Sequence, residues 1–459
     1  MSPKGVWQPA RAAATGFAFS MKLKPQTLLF LLGMCAPFVA GANADAVPVY
    51  RSVADFGADG SDERDDTVAI QQAIDSLGEK GGVVFLPAGK YLLSAPLIIQ
   101  RTSVTLLGEG RGGTNDRAPT GSLLVLRAGT TDTAIELRDC AHSGVRSLGV
   151  YRQPSAAKSG GEAGAAIRVV GTYHCFVREV TLASVVNGIE ILNGISPVVE
   201  DISIKNPSGT FGIWLHGAGL VDGRRRKVDA AHFVRISGGA AKGVPIEWMV
   251  LGPNVDGAKI QDGRFVAGSR GLVLRGGNPD AGDTRPKYIY TDKFGCDHVS
   301  DEGVLIEAGN DLFMTNTWIG QNRNATGMVI GPGFTGGALL TDLRIRGAGG
   351  HGLHVQGGRN IYIANPLIGT NGTNRTLVPR GSTEAAGILI ESGVKNLRVT
   401  GGGVCPLYEG GATALQHYGV RYLGTEQQAV ADSVRISGVD TTGNAVPFAP
   451  AILALDRAL

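Results

Sequence analysis

One pattern of apolar and polar positions returns along most of the chain: a glycine, then an apolar residue, any residue, and a second apolar residue. It recurs at steps of 24 to 35 residues between Gly188 and Tyr422. Alternation with a period of two is typical of β-strands that bury one face. The clearest copies begin at Gly188, Gly212, Gly271, Gly303, Gly327, Gly352, Gly387 and Gly419, with a blurred copy at Gly243.

A second alternating run lies between successive copies, as in Val199–Ile204 and Leu339–Ile345. A repeat of this length indicates one supersecondary unit stacked on copies of itself. No segment between residues 83 and 440 shows a convincing helical pattern. We therefore predict an all-β fold, a single-stranded right-handed parallel β-helix of about 10–12 coils. The alternatives are a β-sandwich and a β-propeller, but a propeller blade needs four strands in ~40–45 residues.

A helix is predicted before the first coils, with Asp65 or Asp66 as its N-terminal cap. Its apolar stripe is Ile70, Ala73, Ile74 and Leu77. The end of a solenoid exposes unpaired strand edges, so a capping element is physically required there. Residues 45–110 are expected to hold this N-terminal capping helix and the first coils, residues 111–440 the β-helix, and residues 441–459 a tail or second cap.

The first 44 residues have the features of an export leader. Met21 is the expected true start, and residues 22–40 pass from basic to apolar before the small-x-small cleavage site Ala42-Asn-Ala44. Such a leader is too short to anchor the cleaved protein in a membrane. The sequence therefore predicts a secreted or periplasmic protein with no membrane association after signal cleavage.

Composition and charge narrow the class of protein. The 459 residues include 69 glycines, 43% hydrophobic and 18% charged residues, which suits a large all-β protein rich in tight turns. Cleavage after Ala44 would leave 39 basic against 40 acidic residues. No nucleic-acid-binding surface is expected from that balance. Export permits disulfides, but we expect four unpaired buried thiols rather than a Cys140–Cys175 bridge.

Three motifs between residues 50 and 110 resemble the N-terminal signature of a known superfamily. They are Val53-Ala-Asp-Phe-Gly-Ala58, the segment that starts at Asp65-Asp-Thr67, and Gly81-Gly-Val-Val-Phe-Leu-Pro-Ala-Gly-Lys-Tyr91. The resemblance is to the pectate-lyase-like superfamily, in the branch named for rhamnogalacturonases, epimerases and phage tailspikes. It implies a right-handed β-helix that acts on polysaccharide, often as a trimer, so a homotrimer is one expectation. The branch mixes hydrolases, lyases, epimerases and non-catalytic members, so the resemblance leaves the reaction open.

Stacking turns equal offsets in the repeat into rows of neighbours about 4.8 Å apart. The row just before the glycine is expected to contain Lys242, Arg270, Glu302 and His351, with Asp301 beside Glu302. The row just past the strand is expected to contain Glu247, Arg275 and Glu307. The middle outward row is apolar at Val273, Leu305, Val329 and Leu389, which predicts a covering loop or a subunit interface.

Glycoside hydrolysis requires two carboxyl groups about 5 to 9.5 Å apart, a spacing that neighbouring coils supply. Asp301 and Glu302 are the lead catalytic pair, with Asp297 or Asp292 on an adjoining insert, Gly276–Asp301, as further partners. Arg270 is expected to bind a substrate carboxylate or lower the pKa of an acid, and His351 to tune the proton donor. The alternative for the pair is ordinary solvated turn chemistry.

Further residues are candidates for substrate binding because they are charged or present a flat ring to a sugar. They are Lys242, Glu247, Glu307, Asp297, Trp214 and Trp318, with Tyr288 and Tyr290 as additional stacking candidates. Gly350-His351-Gly352 resembles an element of the polygalacturonases. The paired aspartates and the N-T-D element of those enzymes are absent, so their full site is not carried over.

Three functions follow from these features. The first is an exported glycoside hydrolase that cleaves a polysaccharide with paired carboxylates in a groove on the β-helix and has no metal or other cofactor. The second is a polysaccharide lyase acting on a uronate-containing glycan, with Lys242, Arg270 or His351 as base. A calcium-dependent lyase would use Asp292, Asp297, Asp301 and Glu302 as its acidic group. The third is a non-catalytic glycan-binding or structural β-helix.

Overall fold

The backbone winds around one axis and places each strand above the corresponding strand of the turn before it. The computed structural model describes residues 49–112, 120–129, 132–153, 164–221, 224–276, 284–374, 376–377, 385–406 and 416–450. No helix within these ranges is long and apolar enough to cross a membrane. The predicted leader and its cleavage site lie outside the described residues, so export stays a prediction.

The glycine-led repeats form one stack of strands, which we call the glycine-led stack. Each strand pairs in parallel with the strands of the coils on either side, as in Ile189 with Ile213 and Val273 with Leu305. Thirteen strands of the described chain belong to this stack, against the 10–12 coils predicted. They are Leu97–Ile99, Ile135–Arg138, Ala165–Val170, Asn187–Leu192, Phe211–His216, Glu247–Leu251, Arg270–Leu274, the first half of Val304–Thr315, Met328–Phe334, Leu353–Val355, Ala386–Ile390, Tyr418–Tyr422 and Val446–Ala449.

Two further stacks, the second and the third, complete each coil. Long strands of the middle coils bend at the corner between these two stacks and belong to both of them. The second stack consists of Tyr50–Ser52, Gly82–Leu86, Val104–Gly108, Gly144–Arg152, Phe176–Ala183, Val198–Lys205, Val228–Gly239, Val255–Val266, Lys287–Asp292, the second half of Val304–Thr315, Ala338–Thr341, Arg359–Ala364, Lys395–Thr400 and Arg435–Ser437. The strands that belong only to the third stack are Gly89–Leu93, Ser122–Leu126, Gly295–Asp297, Trp318–Gly320, Arg344–Arg346, Leu367–Gly369 and Gly403–Val404. An antiparallel pair, Gly219–Val221 with Arg224–Arg226, stands outside the stacks.

The corner between the second and third stacks is built from residues in the left-handed conformation. Eleven successive coils place a residue of positive φ there, from Ser147 at 56° to Gly438 at 62°. The last five of them are Asn, Asp or Gly, the residue types that adopt this conformation most readily. The backbone ladder continues through the corner, because Asn316 still donates its N–H to the Thr341 carbonyl at 3.1 Å.

The predicted N-terminal helix is present at Thr67–Asp75 and packs against the first strand of the glycine-led stack. The side-chain amide of Gln71 donates to the Ile98 carbonyl at 3.0 Å and accepts from the Ile98 N–H at 2.8 Å. These are the two bonds that a further strand would make, so Gln71 satisfies an otherwise open strand edge. The buried face of the helix includes Ile70, Ala73 and Ile74.

Two predictions about secondary structure are wrong. A short helix at Glu426–Ala431 lies in the region where none was expected, and Thr425 and Gln428 form a capping box at its start. The segment Gly276–Asp301, predicted as an insert, contains the strands Lys287–Asp292 and Gly295–Asp297. Both pair within the stacks, because their inward residues Ile289 and Cys296 are fully buried and supply core for that coil.

The four cysteines in the described part of the chain are unpaired, as predicted, although only three of them are buried. Cys140, Cys175 and Cys296 are buried free thiols, and Cys405 is a half-buried one. The sulfur atoms of Cys140 and Cys175 lie 3.7 Å apart in neighbouring coils, well beyond the ~2.05 Å of a disulfide bond.

The blurred repeat at Gly243 was placed in the wrong phase. The strand is Glu247–Leu251, and Glu247 lies opposite Phe211 and Arg270. Trp248 therefore occupies the position where other coils have glycine. The Trp248 ring is fully buried. A Cβ at position 238 would lie only 2.3 Å from this ring, so the glycine at that position leaves the space that the ring needs. The Trp248 indole N–H donates to the Ala267 carbonyl at 2.7 Å.

This shift of phase moves two candidate residues. Lys242 lies in the exposed turn that precedes the strand, so the prediction that it belongs to the row before the glycine is wrong. Glu247 takes that place in the row instead of a place in the row just past the strand. The corrected row is Asn187, Phe211, Glu247, Arg270, Glu302, Thr326, His351, Ala386 and Tyr418.

Candidate functional site

The outward side of the glycine-led stack carries many of the ionisable candidate residues. In its middle lies a network that we call the closed ladder, formed by Glu247, Arg270, Arg275, Glu302 and Glu307. Arg270 donates through Nε to Glu302 at 2.8 Å and through Nη1 to Glu247 at 2.9 Å. Arg275 donates to the same Glu247 oxygen at 2.7 Å and to Glu307 at 3.4 Å. Every charge in this group therefore has a partner of opposite sign.

The closed ladder lies across part of the apolar middle row. Arg270 and Arg275 flank one strand at its two ends and meet at one oxygen of Glu247. The outward-facing Val273 between them is fully buried, and its neighbour Val250 is 3% exposed. Long charged side chains can bury apolar surface beneath their stems. The side chains of the ladder thus supply cover at a place where a loop or a second subunit was predicted.

The lead carboxylate pair does not stand apart from this network. Glu302 accepts the 2.8 Å bond from Arg270, whereas the backbone N–H of Asp301 donates to the Ser269 carbonyl at 2.9 Å. The Glu302 carboxylate is thus already engaged by an arginine of the closed ladder.

A second paired network lies towards the N-terminal coils of the same face. Arg168 bridges Glu136 at 3.3 Å and Glu190 at 2.7 Å, and His216 contacts the other oxygen of Glu190 at 2.9 Å. Burial by itself raises the pKa of Glu190, but the hydrogen bonds from His216 and Arg168 outweigh burial and hold that pKa below its usual range. The predicted sugar-stacking residue Trp214 packs its ring on His216, with centroids 3.8 Å apart.

Sequence reasoning missed two members of that network, Glu136 and Arg168. Both occupy the same offset in their strands as Glu190, as the pairing of Glu136, Arg168 and Glu190 in successive coils shows. Extending the row of Glu190 by two coils towards the N-terminus would have found them.

The C-terminal coils of the face carry a third group, which we call the open end: His351, Tyr418 and Arg421. His351, Ala386 and Tyr418 occupy the same offset in three successive coils. The guanidinium of Arg421 lies over the Tyr418 ring, 4.6 Å from its centroid. Among the described residues, Arg421 has no carboxylate within ion-pair distance. Ala386, which lies between His351 and Tyr418 in this row, is fully buried.

His351 is held in its neutral form. Its Nδ1 accepts the Ala386 backbone N–H at 3.1 Å, which places the imidazole proton on Nε2. Burial, then the charges of His354 and Arg421, lower the pKa of His351 to about 4. The neighbouring His354 contacts Glu391 at 2.9 Å through Nε2 and receives a 3.4 Å contact from Gln356 at Nδ1. At neutral pH the open end therefore offers an N–H donor at His351 beside a cationic arginine.

Several predicted residues lie on other faces. Trp318, 39% exposed, and Asp297 belong to the third stack, and Asp292 belongs to the second. The acidic group proposed for calcium is therefore divided between faces. Across the described ranges, no group of three or more His, Cys, Asp or Glu side chains is arranged to hold a metal ion.

Several known proteins are similar to this chain in sequence or in structure. Residues 50–153 match the family of rhamnogalacturonase A/epimerase, pectate lyase-like proteins. A segment of 70 residues is 41% identical to alginate lyase 7 of Azotobacter vinelandii, and the match covers 14% of this chain and 8% of that relative. The A-module of the A. vinelandii mannuronan C-5 epimerase AlgE4 superposes with a TM-score of 0.54 at 19% identity, over 87% of this chain and 97% of that one. Tailspike protein 3 of bacteriophage CBA120 gives a TM-score of 0.63 at 13% identity, over 87% of this chain and 59% of the tailspike.

The resemblance to the pectate-lyase-like β-helix branch is confirmed. The right-handed parallel β-helix is confirmed with it, since both superposed structures have that fold. At these identities the pectate-lyase-like structures establish the fold alone. Two of the relatives, the alginate lyase and the mannuronan epimerase, are carbohydrate-active enzymes. They do not distinguish a hydrolase from a lyase for this chain.

Proposed function

We propose that this protein acts on a uronate-containing polysaccharide by removing the proton next to the uronate carboxylate, as a lyase or an epimerase does. The observation that carries the proposal is how Arg421 differs from the other arginines of this face in its ion pairing. Four other arginines on this face, Arg138, Arg168, Arg270 and Arg275, each contact a glutamate. Arg421 has no such partner among the described residues, so its charge is available to an anion.

An arginine that is not engaged in an ion pair suits the first requirement for removing this proton. The proton on the carbon beside a carboxylate is hard to remove because the product would carry a second negative charge. A guanidinium that pairs with the carboxylate offsets that charge and binds both oxygens in a fixed geometry. Arg421 supplies this cation, and the neutral His351 adds an N–H donor at the same place without bringing a second charge.

The second requirement is for groups able to exchange protons on either side of the reacting sugar. His351 and Tyr418 are two coils apart, or about 9.6 Å along the axis, with only Ala386 between them. Tyr418 is the residue we assign to proton transfer at C5, because it carries a hydroxyl group and its ring lies beneath the Arg421 guanidinium. In elimination the C5–H and C4–O bonds break, a C4–C5 double bond forms, and the leaving oxygen takes up a proton. In epimerisation a proton returns to C5 from the opposite side.

The relatives support this choice of substrate class. Alginate and mannuronan are polymers of uronates, and they are the substrates named for the lyase and the epimerase that this chain resembles. The hydrolase predicted from Asp301 and Glu302 finds less support, because Glu302 is engaged by Arg270 in the closed ladder.

The test is to incubate the purified protein with polymannuronate, polygalacturonate and a neutral glucan in heavy water. Absorbance of unsaturated uronate detects elimination, and deuterium at C5 detects epimerisation. Arg421→Gln should abolish either signal, whereas Arg275→Gln, the control in the closed ladder, should retain it. New reducing ends without unsaturation or C5 exchange would show hydrolysis and overturn the proposal. The absence of any product, with the polymers bound, would assign the protein to the non-catalytic class.

A further inference from the structure

A single file of aromatic and apolar side chains runs along the outside of the second stack, on a different face from the open end. Tyr290, Phe313, Leu339 and Tyr362 occupy the same position in four successive coils. Tyr290, Leu339 and Tyr362 are 45%, 41% and 38% exposed, and Phe313 is half-buried. We call this row the aromatic ladder. Large apolar side chains exposed in a continuous row point to a binding surface rather than to chance.

The rings of the aromatic ladder present flat faces at the spacing of the coils. Tyr290 and Phe313 are stacked with centroids 4.8 Å apart and planes 7° from parallel. This matches the ~4.8 Å rise from one strand to the next. The row ends in cations, with Lys259 one coil before Tyr290 and Arg398 one coil after Tyr362. The guanidinium of Arg398 lies 5.8 Å from the Tyr362 ring centroid.

Polar side chains border the ladder on both sides. On one side Asp292 accepts from the Thr315 hydroxyl and the Asn316 amide, each at 3.0 Å. On the other side the Asn396 amide donates to Asn360 at 2.8 Å and to the Tyr362 hydroxyl at 3.2 Å. Apolar faces beside amides and hydroxyls suit a ligand that alternates C–H surfaces with hydroxyl groups, as a sugar does.

The width of the ladder decides between a glycan and a second copy of this chain. A stable protein interface buries about 800 Å² on each partner, which requires a patch several side chains wide. From Phe313 to Tyr362 the ladder is one side chain wide; Tyr288, 47% exposed, lies in the same strand as Tyr290 and widens only that end. Residues in the left-handed conformation, such as Asn360 and Asn316, flank the row. A polysaccharide chain is one sugar wide and can advance about one sugar per coil.

We propose that the aromatic ladder is a second glycan-binding surface, which holds a polyuronate chain parallel to the axis of the β-helix and apart from the open end. The anionic nature of the ligand rests on the proposed function and on the cations Lys259 and Arg398 at the ends of the row. Binding to both surfaces keeps a long polymer near the site of chemistry, because the second contact becomes intramolecular. A short oligosaccharide that occupies the open end alone gains nothing from the ladder.

The test compares binding of polymer with turnover of short substrate. In the combined variant Tyr290→Ala, Phe313→Ala and Tyr362→Ala, retardation in gels that contain polyuronate should weaken at least tenfold. Turnover of a short oligouronate should stay within twofold of wild type. Tyr173→Ala removes a tyrosine that is 49% exposed elsewhere on the coils and is the control, with unchanged binding expected. Leu339→Tyr completes the row of rings and should strengthen retardation.

Three outcomes would overturn the inference. They are polymer binding that survives the combined substitution, equal retardation by neutral and anionic polymers, and a wild-type oligomer that dissociates when the ladder is removed. The last would identify the ladder as a subunit interface of the predicted homotrimer. Arg421→Gln separates the two proposals, because it should lose turnover and keep polymer binding. A wild type that binds polyuronate through the ladder but never converts it would contradict the proposed function alone.

Discussion

The closed ladder and the open end lie on the same face of the same stack, yet their charges are arranged in opposite ways. In the closed ladder Arg270 and Arg275 share one oxygen of Glu247 and reach Glu302 and Glu307 on the other side. In the open end Arg421 has no ion pair among the described residues, and its guanidinium lies over the Tyr418 ring. The same residue type thus joins stacked coils by ion pairs in one place and, under the proposed function, meets a substrate carboxylate in the other.

The difference teaches how a repeating surface keeps a site distinct from its surroundings. Rows of equal offset bring charges of the same sign together wherever neighbouring coils repeat a residue, so most charges must be paired across coils. A charge left unpaired is costly when it is partly buried, unless a ligand completes it. The predictions that follow test this contrast in order of expected effect.

The largest effect is expected from Arg421→Gln. Removing one preorganised charge from a site of this kind lowers kcat/KM about 100- to 1,000-fold, while the thermal unfolding temperature should change little because no ion pair is lost. Initial rates on polyuronate and a thermal melt measure the two quantities. A variant that is fully active but less stable would place Arg421 with the structural arginines.

His351 should make stability depend on pH. Its folded-state pKa of about 4 lies below the ordinary value near 6.5. Between those two values the unfolded chain takes up a proton that the folded chain does not. The free energy of unfolding should therefore fall as the pH drops from 6.5 towards 4, by roughly 3 kcal/mol in total.

Urea unfolding at about pH 7 and about pH 4.5 measures this loss, with His351→Gln as the control. Glutamine still offers an oxygen to the Ala386 N–H but does not titrate. The variant should gain on the wild type as the pH falls. An equal difference at both pH values would contradict a depressed pKa.

Arg270→Ala should affect stability more than the shape of the site. It leaves Glu247, which is 8% exposed, with one arginine instead of two, and it leaves Glu302 without its partner in the closed ladder. We expect the free energy of unfolding to decrease by about 1–3 kcal/mol. Chemical denaturation measures it, and Arg421→Ala is the matched control with a smaller loss expected. A larger loss in the control would reverse the assignment of the two regions.

The smallest effect is expected from Glu307→Gln. The Arg275–Glu307 contact is 3.4 Å long, and the side chains are 39% and 42% exposed. Exposed pairs of this kind contribute about 0.2–1 kcal/mol, because water and side-chain entropy offset the attraction. A thermal melt at low and high salt should show a shift near the limit of detection. A clear loss of stability would mean that the closed ladder acts as one cooperative unit.

Several features followed from the sequence alone. The period of the glycine-led pattern was enough to predict parallel coils, because a β-helix brings equal offsets into register regardless of what lies between them. It placed Arg270, Glu302 and His351 in one row, and the pairing of strands agrees. The motifs before residue 110 indicated the correct branch of the superfamily.

The pattern failed in one coil, where the core is packed differently from the core of the other coils. Trp248 stands at the position of the repeat glycine, and its ring fits because Gly238, on another strand, has no side chain. That compensation is between residues that are neighbours only in the folded state. A one-dimensional pattern therefore assigned the phase to Gly243 and misplaced Lys242 and Glu247.

The sequence determined which residues share a row, since that depends on the backbone period. Only the tertiary structure decided which charges in a row are paired, because pairing depends on where long side chains of neighbouring coils end. Arg270 and Arg421 are the same residue type, yet Arg270 contacts two glutamates and Arg421 has no ion pair among the described residues. The aromatic ladder shows the same limit: its rings come from runs without a glycine marker, and they meet only because the coils stack.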